Sequence, residues 1–327
     1  MIRFFTNTFS IQTTKIININ YQYKMTTPLI PSIIPAKSVH QTVSRRNHVR
    51  RVMIFDVETT GLIPKKVKGQ PPPSLASLPH ILQLSFIIFD TKTWRPVKSF
   101  DTYIRVEPEI AISPFISELT GITREKCDSQ GVPIAHALSE FYREFMQCDC
   151  FVAHNLEFDK EMIQIEMRRN SAQLAKNCPY VNLVFNAMYE KMHNIEIFCT
   201  MRVGRNICKI PFKTQSTNAS HASSTSTSTS TSTKWKSPKL SELYEFLFGE
   251  VPKNLHNSLV DTYVCLRCFV KLRFRFDIGK HIGFGQHAFK FIKMKLTDAQ
   301  AEHISQISSS SSTPVLPAPL SGSIVNC

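Results

Sequence analysis

The sequence predicts one α/β domain with extended tails. Short apolar runs of strand character alternate along the chain with segments whose apolar residues recur at helical spacing. The 327 residues are 42% hydrophobic and 20% charged, enough for one large core. No apolar run nears the ~20 residues that a membrane-spanning helix needs, so no membrane association is expected.

The elements follow in order. RVMIFDV, starting at Arg51, reads as a strand, and HILQLSFIIFD (His80 to Asp90) as a second. Between them lies a Pro- and Lys-rich loop, PKKVKGQPPPSLASLP. A turn near Thr93 leads into a third strand from Val97 to Val106. SPFISELTGIT suggests a short helix and IAHALSEFYREFM a longer amphipathic one. CFVAHN (Cys150 to Asn155) is a short strand, LEFDKEMIQIEMRR a helix and NIEIFCTM a last strand. Two more helices are expected, SPKLSELYEFLFG ending at Gly249 and a run from Leu259 to Leu272. The alternating Ser and Thr of Ser223 to Thr233 cannot bury apolar surface, so residues 214–236 are expected to be a flexible insertion.

These elements place the domain at residues 49–275, after a basic, disordered arm at 1–48 and before a basic extension and Ser- and Pro-rich tail at 276–327. No Asp or Glu precedes Asp56, whereas Arg3, Lys15, Lys24, Lys37, Arg45, Arg46, Arg50 and Arg51 are basic. Such a segment suits a mitochondrial presequence, a plain arm, or sequence upstream of a start at Met25. The weak amphipathicity of IININYQY favours the arm.

The net charge of +14 favours a polyanionic partner such as nucleic acid, against the plainer reading of basic tails on an ordinary enzyme. Nine cysteines without regular spacing read as reduced thiols in an intracellular, reducing compartment. Cys148 and Cys150 flank one residue before a strand, and Cys265 and Cys268 fall within a helical run. Neither pair has two further ligands nearby, so core thiols are expected, not zinc.

Three acidic sites stand out. Asp56 and Glu58 lie two apart at the end of the first strand and so share a face. Asn155 and Asp159 lie four apart where a strand enters a helix. His256 and Asp261 lie five apart, about 140° on a regular helix, so they meet only if His256 precedes the first turn. Asp261, Val264, Cys265 and Cys268 then form a stripe facing the sheet. Each feature alone has a mundane reading: a turn, a helix cap, a neighbour without a role. Together they amount to four carboxylates and a histidine, the donor set of a site for two Mg²⁺ or Mn²⁺ ions. Such cations would also relieve the repulsion between Asp56 and Glu58, and a neutral histidine can act as general base.

DVETTGL, HNLEFD and HNSLVD resemble the three motifs of the DEDDh 3′–5′ exonucleases, the family of the proofreading epsilon subunit of bacterial DNA polymerase III, from roughly Arg51 to Lys271. HILQLSF and ELTGIT match supporting segments of that family. CTM, PKLSELYEFLFGE and LHNSLVDTYVCLRCF further resemble exonuclease-like proteins of large nucleocytoplasmic DNA viruses, which would place the protein in host cytoplasm, nucleus or viral factory.

The family resemblance implies a ribonuclease H-like fold with a mixed five-stranded sheet flanked by helices. It implies metal ligands Asp56, Glu58, Asp159 and Asp261, with Asp56 shared between the ions and His256 as the base. Thr59 and Leu62 match positions contacting the 3′-terminal nucleotide, and Asn155 one supporting the second motif. Ser258 stands where the family usually has Ala, with no consequence expected. The implied reaction is hydrolysis of the terminal phosphodiester at a free 3′ end, single-stranded or frayed, to nucleoside 5′-monophosphates, with DNA the expected substrate and RNA the alternative. A polymerase or repair partner fits this role, and so does a catalytically silent binding module of the same fold. Lys65, Lys66 and Lys68 suit phosphates further along the strand, or merely a solvated loop.

Overall fold

Val52 to Phe55 are fully buried on both faces of β1 (Arg51–Thr59), which puts this strand in the middle of the sheet. A computed structural model of the chain describes residues 50–65, 67–69, 71–212 and 235–280. The basic arm, Lys66, most of the expected insertion and the tail from residue 281 lie outside the described residues. β2 (Ile81–Asp90) pairs antiparallel with β1 and is buried along nearly its whole length, as its unbroken apolar run requires. β3 (Arg95–Arg105) pairs antiparallel with β2, whereas β5 (Cys150–Ala153) and β6 (Glu196–Cys199) add in parallel on the other side of β1.

The strand order is β4-β3-β2-β1-β5-β6, six strands where five were expected. The additional strand, β4 (Val132–Pro133), is an edge pair parallel to β3 and too short to show any alternation. It docks because Gly131 lacks a side chain: a Cβ there would stand 2.6 Å from the Arg105 nitrogen. An antiparallel meander followed by parallel strands is otherwise the ribonuclease H-like sheet that the resemblance implied.

Helices cover both faces. α1 (Pro114–Thr120) and α2 (Arg124–Gln130) lead into α3 (Ile134–Phe145). That helix buries Ala137, Leu138, Phe141 and Phe145 with α4 (Leu156–Arg169) against Met53, Phe55 and Val57. Two short helices, α5 (Ser171–Leu174) and α6 (Ala187–Met192), continue the chain to β6. The opposite face packs α8 (Leu240–Phe248) and α9 (Ser258–Phe274) on Val52 and Ile54. α9 is buried almost all round, and Cys265 and Cys268 are free thiols inside it. Among the described residues, no helix is long and apolar enough to cross a membrane.

The structure adds α7 (Thr200–Cys208), where the sequence suggested only the end of a strand. The interspersed Arg and Asn hide the apolar edge formed by Val203, Ile207 and Cys208. Gly204 lets α7 lie close on α8: a Cβ would come within 2.9 Å of the Leu243 side chain.

The loop after β1 is tied at both ends. The Thr60 amide donates to the His80 carbonyl at 2.9 Å, and the His80 amide donates to the Thr60 hydroxyl at 2.9 Å. The Arg169 guanidinium donates to the carbonyls of Leu75, Leu78 and Pro79, while buried Glu166 accepts from it and from the Ile81 amide.

Candidate active site

Asp56 and Glu58 leave β1 on the face that carries Val52 and Ile54, as strand alternation requires. A bulge follows Glu58: Glu58 opposes Gln83, whereas Thr59 opposes Ile81. Such bulges re-aim a strand where regular pairing ends. The Thr59 hydroxyl turns back and donates to the Gly61 carbonyl at 2.7 Å. It thereby shapes the turn that presents Leu62, which is 83% exposed.

Pairing between β1 and β5 stops at Ile54 opposite Val152. Beyond it the Val57 amide donates to Asp159 Oδ1 at 3.2 Å, so the third acid is hydrogen-bonded to the residue between the first two. Asp159 lies in the first turn of α4 behind Asn155. Asn155 is exposed, and its side chain makes no cap hydrogen bond, contrary to the capping alternative. Its contribution is a left-handed backbone (φ 70°) that redirects the chain into α4, a conformation Asn tolerates better than most residues.

The last pair meets as its spacing required. His256 precedes α9 and Asp261 lies within the first turn, with the His256 amide donating to Asp261 Oδ2 at 3.2 Å. Asn254 and His256 both take positive φ (60° and 67°), so the approach to α9 is a tightly wound turn. Left-handed conformations in non-glycine residues cost about 1–2 kcal/mol and cluster at functional sites. Ligand atoms of Glu58, His256 and Asp261 lie within 4.8 Å of one another.

Burial raises all four carboxyls above their usual range, Asp56 to about 7 and Glu58 to about 10. The charge of Asp56 adds to the rise in each of the other three. His256 moves the other way: shielding from water and the positive charge of Lys239 lower its pKa below the usual 6.5, so it is neutral at pH 7.

Two further residues matter here. His154, inside the second motif, faces the Thr200 hydroxyl with Nδ1 at 3.0 Å and the Pro238 carbonyl with Nε2 at 3.1 Å. A carbonyl can only accept, so Nε2 carries the proton. Burial holds the pKa down at about 4, keeping the ring neutral as a tie between β5, α7 and the chain entering α8. The motif spacing offered this signal, but His154 was adjacent to residues that looked more chemical. Ser258 corrects an expectation: its hydroxyl donates to the Asp56 carbonyl at 2.7 Å, a bond Ala cannot make.

The donor set fits a divalent cation. Asp261 Oδ1 is buried without any hydrogen-bond partner, Glu58 and Asp261 lie within reach of one ion together with the His256 ring, and the charge of Asp56 is felt by Glu58, Asp159 and Asp261. An orphaned carboxylate oxygen is costly unless a cation meets it. Hard oxygen donors suit Mg²⁺ or Mn²⁺.

Residues 53–269, more than half of the chain, match the exonuclease family RNase_T. The chain belongs to this family. The segment is 30% identical over 125 residues to the 3′-5′ exonuclease DinG of Bacillus subtilis, covering 38% of this chain and 12% of DinG. It is 28% identical over 117 residues to the PolC-type DNA polymerase III of Caldanaerobacter subterraneus, covering 36% of this chain and 7% of the polymerase. The chain thus spans only a small part of the length of these curated relatives. Among solved structures it resembles E. coli Exonuclease I in complex with a dT13 oligonucleotide (17% identity, TM-score 0.46, 69% of this chain and 42% of that one). It also resembles the nuclease domain of 3′hExo, a DEDDh family member, bound to rAMP (15% identity, TM-score 0.43, 71% of this chain and 96% of that one).

Proposed function

We propose that the protein is a metal-dependent 3′–5′ exonuclease that shortens DNA from a free 3′ end, releasing nucleoside 5′-monophosphates. The observation that carries this reading is the buried Asp261 Oδ1, without a hydrogen-bond partner, beside Glu58 and the exposed His256, a donor set that suits a cation. The names of DinG and the PolC-type polymerase support the 3′–5′ direction, DNA as substrate and work beside a polymerase.

Asp56, Glu58, Asp159 and Asp261 would hold two divalent ions, Mg²⁺ by preference and Mn²⁺ in its place. When bound, such ions lend positive charge to the attacking and leaving oxygens of a phosphodiester. His256, neutral and with its amide already engaged by Asp261, keeps its ring free to take a proton from the attacking water. Leu62 projects from its turn to press on the terminal base, which favours a frayed or single-stranded end. Exposed Lys65 and Lys68 suit phosphates further along the strand.

The test is full-length protein with labelled single-stranded and 3′-recessed DNA and with RNA of matched sequence. Trimming of DNA that needs Mg²⁺ and stops with EDTA is expected. Faster trimming of RNA would reassign the substrate, and binding without trimming would leave only a nucleic-acid-binding module. His256→Ala is expected to lower turnover by about 10²–10⁴-fold with Mn²⁺ affinity largely kept. An equal loss of metal affinity would instead make His256 a ligand.

A further inference from the structure

We infer that Ser258 is a positioning residue that sets the start of α9 against β1, and so brings Asp261 and His256 to Asp56 and Glu58. The inference deepens the exonuclease reading and rests on it. Ser258 is the first residue of α9 and is fully buried. It is bonded to two strands at once: its hydroxyl donates to the Asp56 carbonyl at 2.7 Å, and its amide donates to Gln83 Oε1 at 3.2 Å. Gln83 is itself fully buried on β2, directly opposite Glu58. Its amide nitrogen donates to Asp101 Oδ1 on β3 at 2.8 Å, and the same oxygen accepts from the Ser85 hydroxyl at 2.5 Å. Ser85 in turn lies opposite both Asp56 and Asp101.

A row of polar groups, buried on β2 and half-buried on β3, therefore crosses β1, β2 and β3 under the start of α9. Further along the same face, Val52, Ile54, Ile87 and Phe89 make the ordinary apolar contact with that helix. Apolar packing alone lets a helix slide, whereas buried hydrogen bonds are satisfied in one register only. Helix capping does not explain the row. Asn257 already supplies the cap, its side chain accepting from the Val260 amide at 3.2 Å. The Ser258 hydroxyl is instead spent on the backbone of the residue at the centre of the acid cluster.

The test compares full-length wild type, Ser258→Ala, Gln83→Leu and the double variant. Turnover on single-stranded DNA, Mn²⁺ binding by calorimetry and thermal melting are measured for each. Each single change is expected to lower turnover or Mn²⁺ affinity by about 10–100-fold, with KM for the oligonucleotide changed less than about twofold. The double variant is expected to lose little more than the worse single one, because both act through one helix position. Ser258→Ala with wild-type turnover and metal dependence would overturn the inference. So would a loss that disappears when the assay is run far below the melting temperature, which marks a merely structural bond. A wild type that neither binds Mn²⁺ nor trims DNA would instead sink the exonuclease reading itself, and this inference with it.

Discussion

Asp56→Ala is expected to slow metal-dependent trimming of a single-stranded oligonucleotide by about 10³-fold or more, while the metal-free variant melts at a higher temperature than wild type. The two effects share a cause. Asp56 is the acid whose charge raises the pKa of Glu58, Asp159 and Asp261 alike. It is thus the point at which a shared ligand would serve both cations and at which like charges crowd most in their absence. Removing it takes away the ligand and relieves the crowding together. A misfolded variant would lose activity and melt lower, so the opposed signs separate a damaged site from a damaged fold. Unchanged trimming by Asp56→Ala would dismiss the proposed chemistry outright.

Divalent cations are expected to raise the melting temperature, and more so at pH 8 than at pH 6. The four carboxyls have pKa values above those of an unfolded chain, so the folded protein binds more protons than the unfolded one over that window. Their contribution to metal-free stability is greatest below the ordinary carboxyl pKa near 4. It falls as pH rises through about 7, where Asp56 ionises, and on toward about 10 for Glu58. A cation replaces the missing protons, so its effect grows where they have left. At a metal concentration about 100 times Kd the gain is about 2.7 kcal/mol, or roughly 5–10 °C for a domain of this size. Differential scanning fluorimetry with EDTA, Mg²⁺ and Mn²⁺ across that pH range reads it directly. A metal-induced shift that is absent, or larger at pH 6, would contradict the site as drawn.

The parts of this molecule legible in the sequence are those that repeat a simple period. The burial of β2 and the apolar edge of α3 follow from spacing alone, whereas α9 is buried almost all round and shows no single stripe. The acid cluster was legible because Asp56 and Glu58 had to share a face and because Asp261 could reach His256 only from a first turn. What escaped depends on contacts between distant segments. β4 is two residues long and exists because Gly131 admits it. α7 hides its packing edge among charged residues, and its fit depends on Gly204 meeting Leu243. Ser258 looked like a small residue of no account because its partners, Asp56 and Gln83, lie about 200 and 175 positions away in the chain.

The double tie on the loop after β1 separates chemistry from reach. Thr60 and His80 close its base, Ile63 packs against the core, and Arg169 holds Leu75, Leu78 and Pro79, so the loop is held at both ends. Each doubling of such a span costs only about 0.6 kcal/mol in closure entropy. Length and charge there can therefore drift between related chains, or be grafted by design, while the acids beneath stay in register. The loop is an exchangeable lip on a fixed socket.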